Sequence, residues 1–291
     1  MIEIIELNKY DWTEQEGVSS KGKRVKGWFQ RNDNGVLFLY KEPKKRDFVL
    51  PEIWTEFIAY KIGKFLGLDV PEVVPAKNED NYGVLIESFT KNDYELIDAK
   101  ELLKDVKNSQ AHNIYFIRGL LVSPSVKQGE WTKFIKMMIF DCLIGNSDRH
   151  DENWGVCFNF DLDLFKLAPI YDNASCLTQQ LDEIKISKML QDKNQIEKYV
   201  INSRPPNLYL NPNDSKKHTH YEFMEHLIKT EPDMKDLIAE LLQKDYGDYV
   251  DDIMANIQQL DVPEEYKLSD NRRKVILEIL KLRRQKLKEM L

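Results

Sequence analysis

Two hydrophobic periods divide the chain. Val25 to Phe29 and Val36 to Lys41 are short runs of β-forming residues, and their connection, Gln30 to Gly35, ends in Asn34-Gly35, a strong hairpin signal. From Pro51 to Leu66 the period changes. Ile53, Trp54, Phe57, Ile58, Ile62 and Phe65 recur at helical spacing, with Pro51 suited to a first turn and Gly67 to an end. Val70 to Val74 and Gly83 to Phe89 predict two more strands around the polar turn Lys77 to Tyr82. The expected order is strand, strand, helix, strand, strand.

Beyond this the pattern is helical. Lys100 to Val106 is one such stretch, and in Trp131 to Ile144 the residues Trp131, Phe134, Ile135, Met138 and Cys142 share a face. The change in composition at Thr90 to Asp98 predicts a boundary between an N-lobe, residues 1–92, and a C-lobe, residues 93–291. Asn202 to His220, polar and holding three prolines, reads as a long loop. Ser269 to Leu291 opens with a capping residue and predicts a docked surface helix with Val275, Ile276, Ile279, Leu280, Leu287 and Leu291 inward and a solvated basic face.

Composition narrows the partners. Lys and Arg total 42 against 49 Asp and Glu, a net charge of −7, so a general electrostatic grip on nucleic acid or anionic lipid is not expected. Apolar runs such as Met137 to Phe140 fall far short of the roughly 20 residues that cross a bilayer. The N-terminus is acidic where a secretory signal is basic, and the three cysteines lack the spacing of a zinc site or a CxxC pair. A cytoplasmic protein with reduced thiols is the expectation.

The densest polar cluster, Gly145-Asn146-Ser147-Asp148-Arg149-His150-Asp151-Glu152-Asn153, lies between the apolar helix and the apolar run Trp154 to Phe158. Phosphoryl transfer gives it a purpose: one carboxylate takes or orients the proton of an attacking hydroxyl, and a side-chain oxygen five positions on holds magnesium. Asp148 and Asn153 have that spacing. A second hard oxygen ligand is then needed, and Asp172, after a hairpin predicted over Phe158 to Leu167, supplies it. Lys41, ending its strand, is placed to neutralise phosphates, and Glu56 on the amphipathic helix is its expected ion-pair partner. Glu87, Ser88 and Phe89 would pass the adenine. The loop Gly17 to Gly27, with Ser19, Ser20, Lys21 and Lys23, would cover the phosphates with amides and cations. His150 is expected either to contact the nucleotide or to orient the loop.

These residues together resemble the HipA-like kinases. The resemblance is carried by the Lys41 strand, Thr55-Glu56, Gly67-Leu68-Asp69-Val70-Pro71, Ile86-Glu87-Ser88-Phe89, Leu143 to His150, and Pro169-Ile170-Tyr171-Asp172, and it extends over nearly the whole chain. It implies an α+β, two-lobed protein-kinase-like fold, with a small antiparallel β N-lobe bearing one helix and a larger, mainly helical C-lobe. It also implies Asp148 as catalytic base, Asn153 and Asp172 as magnesium ligands, Lys41 on ATP and Glu87 to Phe89 as the hinge. ATP and Mg2+ are the implied cofactors, a protein Ser/Thr hydroxyl the implied acceptor, and a DNA-binding antitoxin the implied partner.

Two departures stand beside the resemblance. About 16 residues precede the phosphate loop, where full toxin-type members carry an extra N-terminal subdomain, so a minimal core is expected. The loop glycines fall at 17, 22 and 27, which is not GxGxxG. Ser19 or Ser20 is an expected site of self-phosphorylation. A phosphoinositide kinase shares Asp148-Arg149-His150-x-x-Asn153, but net acidity and the lack of a basic membrane patch oppose it. An aminoglycoside-type kinase would carry His where Asn146 stands. A pseudokinase would keep the fold without turnover, yet every catalytic group sought is present.

Overall fold

The structure is a computed structural model that describes residues 2–8, 10–15, 26–43, 51–90, 94–106, 112–205, 208–210 and 218–291. Its N-terminal part is a six-stranded sheet. The strands are β1 (Ile5–Glu6), β2 (Trp12–Glu14), β3 (Lys26–Arg31), β4 (Leu37–Lys41), β5 (Val73–Asn78) and β6 (Asn81–Glu87), in the order β1-β5-β6-β4-β3-β2. Only β1 and β5 run parallel; the other neighbours are antiparallel. In the β3–β4 hairpin the register pairs Phe29 with Phe38 and Lys26 with Lys41. Trp12, Phe29, Phe38, Tyr40, Ala76 and Leu85 form a small separate core on this sheet, in which Trp12 meets Phe38 and Phe29 meets Tyr40 edge to face.

Helix α1 (Glu52–Leu66) runs between this sheet and the rest of the protein. Its apolar stripe is buried as expected, but so are Glu52, Thr55 and Glu56, because the helix is covered on its polar side as well. Gly67 ends it in the left-handed conformation, and the amide of Leu68 returns to the Gly63 carbonyl. The two strands after α1 run closer together than predicted: β5 starts at Val73 rather than Val70, β6 spans Asn81–Glu87 rather than Gly83 to Phe89, and the turn shrinks to Glu79 and Asp80. Residues 70–72 instead follow the helix end, where Val70 packs against Gly63.

The stretch 90–98, expected as a boundary, contains β7 (Tyr94–Asp98). It pairs with β8 (Gly155–Asn159), which pairs with β9 (Leu164–Leu167), giving a second, three-stranded sheet. The helices are α2 (Ala99–Leu102), α3 (Ile114–Leu121), α4 (Glu130–Ile144), α5 (Glu183–Gln191), α6 (Lys193–Ile201), α7 (His220–Thr230), α8 (Met234–Leu242), α9 (Gly247–Gln258) and α10 (Asp270–Lys288). α2 is shorter than the predicted Lys100–Val106. α4 is the central helix: Phe134, Ile135 and Met137 to Ile144 are all buried. Among the described residues no helix is long and apolar enough to cross a membrane.

The last helix corrects its prediction. Ser269 caps α10 by accepting from the Arg272 amide, and Val275, Ile276, Ile279, Leu280 and Leu287 are buried, but Leu291, expected inward, is 44% exposed, whereas Arg272 and Arg283 are each 1% exposed. Arg272 donates to the carbonyls of Thr178 and Leu181 and to Glu183; Arg283 donates to the Cys142 carbonyl. Part of the basic face is therefore internal wiring. Arg283 also fills the space over Gly145, which has φ +69° and where an added Cβ would lie 2.5 Å from the guanidinium, so glycine is required there on both counts.

Candidate active site

The loop after α4 is built by buried polar bonds. The Asn146 side chain donates to Asp141 and accepts from the Asp148 amide, and its carbonyl accepts from Nε2 of the buried His220 at 3.0 Å. Burial and the nearby Arg283 charge press the His220 pKa down to about 3, so its ring is neutral and its other nitrogen unprotonated. The Asp148 backbone is thus held at both ends while its carboxylate, 43% exposed, stays open to solvent. That carboxylate accepts from the Ser175 hydroxyl at 3.3 Å and has His150 Nε2 at 3.9 Å. His150 Nδ1 accepts from the Glu152 amide at 3.1 Å, a loop-orienting contact. The Asn153 side-chain NH2 donates to the Asp148 carbonyl at 2.6 Å, which turns its amide oxygen away from that bond as the end left for a ligand.

Arg149, 1% exposed, joins this loop to the next. It makes a two-pronged pair with Asp141 at 3.0 and 2.9 Å, and one of its nitrogens donates to both the Asn153 carbonyl and the Tyr171 carbonyl. Its other terminal nitrogen donates to the Asn173 side chain. The Asp141 charge counters the desolvation that would lower the Arg149 pKa, and the guanidinium stays charged. Because one nitrogen serves both carbonyls, the backbone that carries Asn153 and the backbone that carries Asp172 are neighbours. Sequence reasoning assigned Arg149 no role. A signal was available: an arginine in a polar cluster flanked by apolar runs, eight residues after an aspartate on a helix otherwise buried.

Asp172 has φ +53°, a left-handed conformation that persists only where surroundings enforce it. Lys41, 6% exposed, reaches it from β4 and forms an ion pair at 2.5 Å. Glu56, the partner expected for Lys41 when nucleotide is bound, lies close enough for the Lys41 charge to act on it. Glu56, 2% exposed, faces inward beside a narrow cleft shared with Lys41, Val84 and Ala174, and its Oε1 accepts from the Asn173 amide at 2.8 Å. Its Oε2 has no hydrogen-bond partner among the described residues. Desolvation raises the Glu56 pKa above the usual carboxylate range, with the Lys41 charge opposing and the Asp172 charge adding to it. The neighbouring Thr55 donates to the Ala174 carbonyl at 2.7 Å.

At the expected hinge the amide of Glu87 is committed to the Glu72 carbonyl and that of Ser88 to the Leu37 carbonyl, so Glu87 has no amide to give to a base. The Ser88 hydroxyl meets Thr90, and the Phe89 ring stacks on Tyr171 at 5.4 Å, linking hinge and acidic loop. Ser19, Ser20, Lys21 and Lys23 lie outside the described residues. A larger groove of about 670 Å³, lined by Glu3, Glu6, Trp12 and Arg31 among others, shares no residue with this set. The oxygen-rich donors Asp172 and Asn153, with Lys41 beside them and one carboxylate oxygen of Glu56 unsatisfied, fit a hard cation bound with an anionic phosphate ligand. Among the described residues no cluster of three or more His, Cys, Asp or Glu side chains forms a site for a metal held by protein alone.

A curled sheet with one packed helix, a helical second lobe, and a sheet lysine meeting an acidic loop beside Asp-x-x-x-x-Asn define a protein of the two-lobed kinase-like class. The chain belongs to the HipA-like C-terminal domain family, whose profile matches residues 16–256. It is 28% identical over 224 residues to the serine/threonine-protein kinase CtkA of Helicobacter pylori, an alignment covering 72% of this chain and 66% of that protein, just under two thirds. The crystal structure of the H. pylori proinflammatory kinase CtkA superposes with a TM-score of 0.78 at 21% identity, over 99% of this chain and 96% of that one. HipA from a Shewanella oneidensis complex with HipB and operator DNA is more distant: TM-score 0.55, 11% identity, 94% of this chain and 67% of that one. At such identities the structural likeness is one of fold.

Proposed function

We propose that this HipA-like kinase transfers the γ-phosphoryl group of ATP, with Mg2+, to a serine or threonine hydroxyl of a protein. The observation that carries the reading is the meeting of Lys41 with Asp172 across the lobes, beside a loop in which Asp148 is exposed and Asn153 is fixed. The kinase name of the H. pylori relative supports it. Asn153 and Asp172 would hold the ion, which when bound would neutralise charge on the β- and γ-phosphates. Lys41 supplies a fixed positive charge from a site sheltered from water, where it acts more strongly than in bulk. Asp148 accepts the acceptor's proton as the new O–P bond forms and the bond from the γ-phosphorus to its bridging oxygen breaks. Arg149 keeps base loop and metal loop in register.

Incubation with labelled ATP, Mg2+ and a bacterial lysate, followed by phosphosite mass spectrometry, tests the reading; label on lipid rather than protein would redirect it to the phosphoinositide-type alternative. A DNA-binding antitoxin is the proposed partner, and co-purification with the product of the adjacent gene tests that. In the same incubation, phosphate on Ser19 or Ser20 tests self-phosphorylation.

A further inference from the structure

After the metal loop the backbone passes twice through the left-handed region at residues that carry side chains: Leu177 has φ +48° and Thr178 φ +69°. For a β-branched residue such as Thr178 this is an outlier, and it persists only where the surroundings hold it. Both residues are buried, and the clamp on them comes from the last helix. Arg272 of α10 donates to the Thr178 carbonyl at 3.1 Å and to the Leu181 carbonyl at 2.8 Å, and its Nε donates to Glu183 at 2.7 Å. Glu183 is held in turn by the Ser269 hydroxyl at 2.8 Å. The other side of the same segment is bonded to the loop that carries Asp148. The Ser147 amide donates to the Ser175 carbonyl at 3.1 Å, the Ser175 hydroxyl donates to the Asp148 carboxylate at 3.3 Å, and the exposed Gln180 donates to the Ser147 hydroxyl at 3.3 Å.

We infer that residues 175–181 form the wall on which an acceptor chain lies as its hydroxyl reaches Asp148, and that Arg272 is the positioning residue that sets this wall. The inference rests on the phosphotransfer reading. A strained wall relaxes when its clamp is removed, and the clamp is a single guanidinium whose planar fork spans two carbonyls and a carboxylate, a geometry that other side chains do not offer. The wall touches the proposed base, whereas Lys41 and Asn153 are fixed by other partners. Loss of the clamp should therefore disturb the meeting of acceptor and base while sparing the nucleotide.

The test pairs two measurements on folded Arg272→Met: calorimetric binding of a non-hydrolysable ATP analogue with Mg2+, and the initial rate of labelled phosphate transfer from ATP to a sub-saturating bacterial lysate, with the lysate's own incorporation subtracted. A small misplacement of reacting groups costs about 10²-fold, so transfer should fall at least ~10-fold while analogue binding changes less than ~2-fold. Adding Thr178→Gly, which adopts the left-handed backbone without strain, should recover at least ~3-fold of that loss, a rescue that a purely stabilising Arg272 would not show in folded protein. Should Arg272→Met fail to fold, Glu183→Ala, at a carboxylate 44% exposed, loosens the clamp and carries the same test with and without Thr178→Gly. Transfer at the wild-type rate, analogue binding weakened as much as transfer, or no recovery on adding Thr178→Gly overturns the inference alone. Absence of Mg2+-dependent transfer by the wild-type protein overturns the phosphotransfer reading and the inference with it.

Discussion

On the C-terminal side of the site, Asp148, Asn153 and Asp172 sit in a net of buried polar bonds centred on Arg149, whereas on the N-terminal side Lys41 arrives at the end of a strand whose place is set by aromatic packing. The two sides fail differently. A polar net is directional, and removing one member strands a buried partner at the full cost of its desolvation. A packed sheet tolerates volume-conserving change and responds to altered shape. The molecule thus fixes its chemistry where bonds have direction and delivers its cation where registers and ring contacts suffice.

The largest expected effect is on the polar side. Asp172→Ala should abolish transfer and weaken Mg2+-dependent nucleotide binding, while Asp148→Ala should cost about 10²–10⁴-fold in turnover and leave nucleotide binding nearly unchanged, as rate assays beside calorimetry would read. Asp141→Ala strands the Arg149 charge, buried to 1%, and should destabilise the fold by about 3–5 kcal/mol in denaturant unfolding.

On the packed side Gly83→Ala is the sharper probe. Its Cβ would meet the Lys41 carbonyl and the Tyr40 ring, each at 2.7 Å, so the lysine strand must shift. Overpacking of this kind costs about 1–3 kcal/mol, and nucleotide affinity should fall with it. If affinity instead stays at wild type, the register of β4 against β6 is not what places Lys41.

The effect that is smallest at neutral pH is a pH dependence behind the loop. The folded His220 pKa is lowered to about 3, so as pH falls below the ordinary histidine value the unfolded chain takes up a proton that the folded one refuses. Stability from this group should fall between about pH 6.5 and 3, approaching about 1.4 kcal/mol per pH unit. A His220→Gln variant, compared with wild type by denaturant unfolding across that range, should lack this share of the slope.

The sequence spoke plainly where one chemical need fixes both residue type and spacing. Asp148, Asn153 and Asp172 stand out because the proposed base and two proposed oxygen ligands would have to lie on short loops beside buried elements, and α1 and α4 because an apolar stripe repeats at helical period. What stayed hidden depends on partners far along the chain. The stretch Tyr94–Asp98 looks like a change of composition until Gly155–Asn159 pairs with it. Arg272 and Arg283 look like solvated basic residues until the carbonyls of Thr178 and Cys142 come to meet them. The bond from the Asn173 amide to Glu56 was likewise missed, since α1 alone cannot tell that the acidic loop lies against that carboxylate.

Phosphosite mass spectrometry of a bacterial lysate incubated with ATP, Mg2+ and either wild type or the Asp148→Ala variant bears most directly on protein phosphorylation through the Asp148 loop. Mg2+-dependent phosphate on protein serine or threonine with the wild type, absent with the variant, is the predicted result. No transfer by a folded, nucleotide-binding wild type, or equal transfer by the variant, would contradict it.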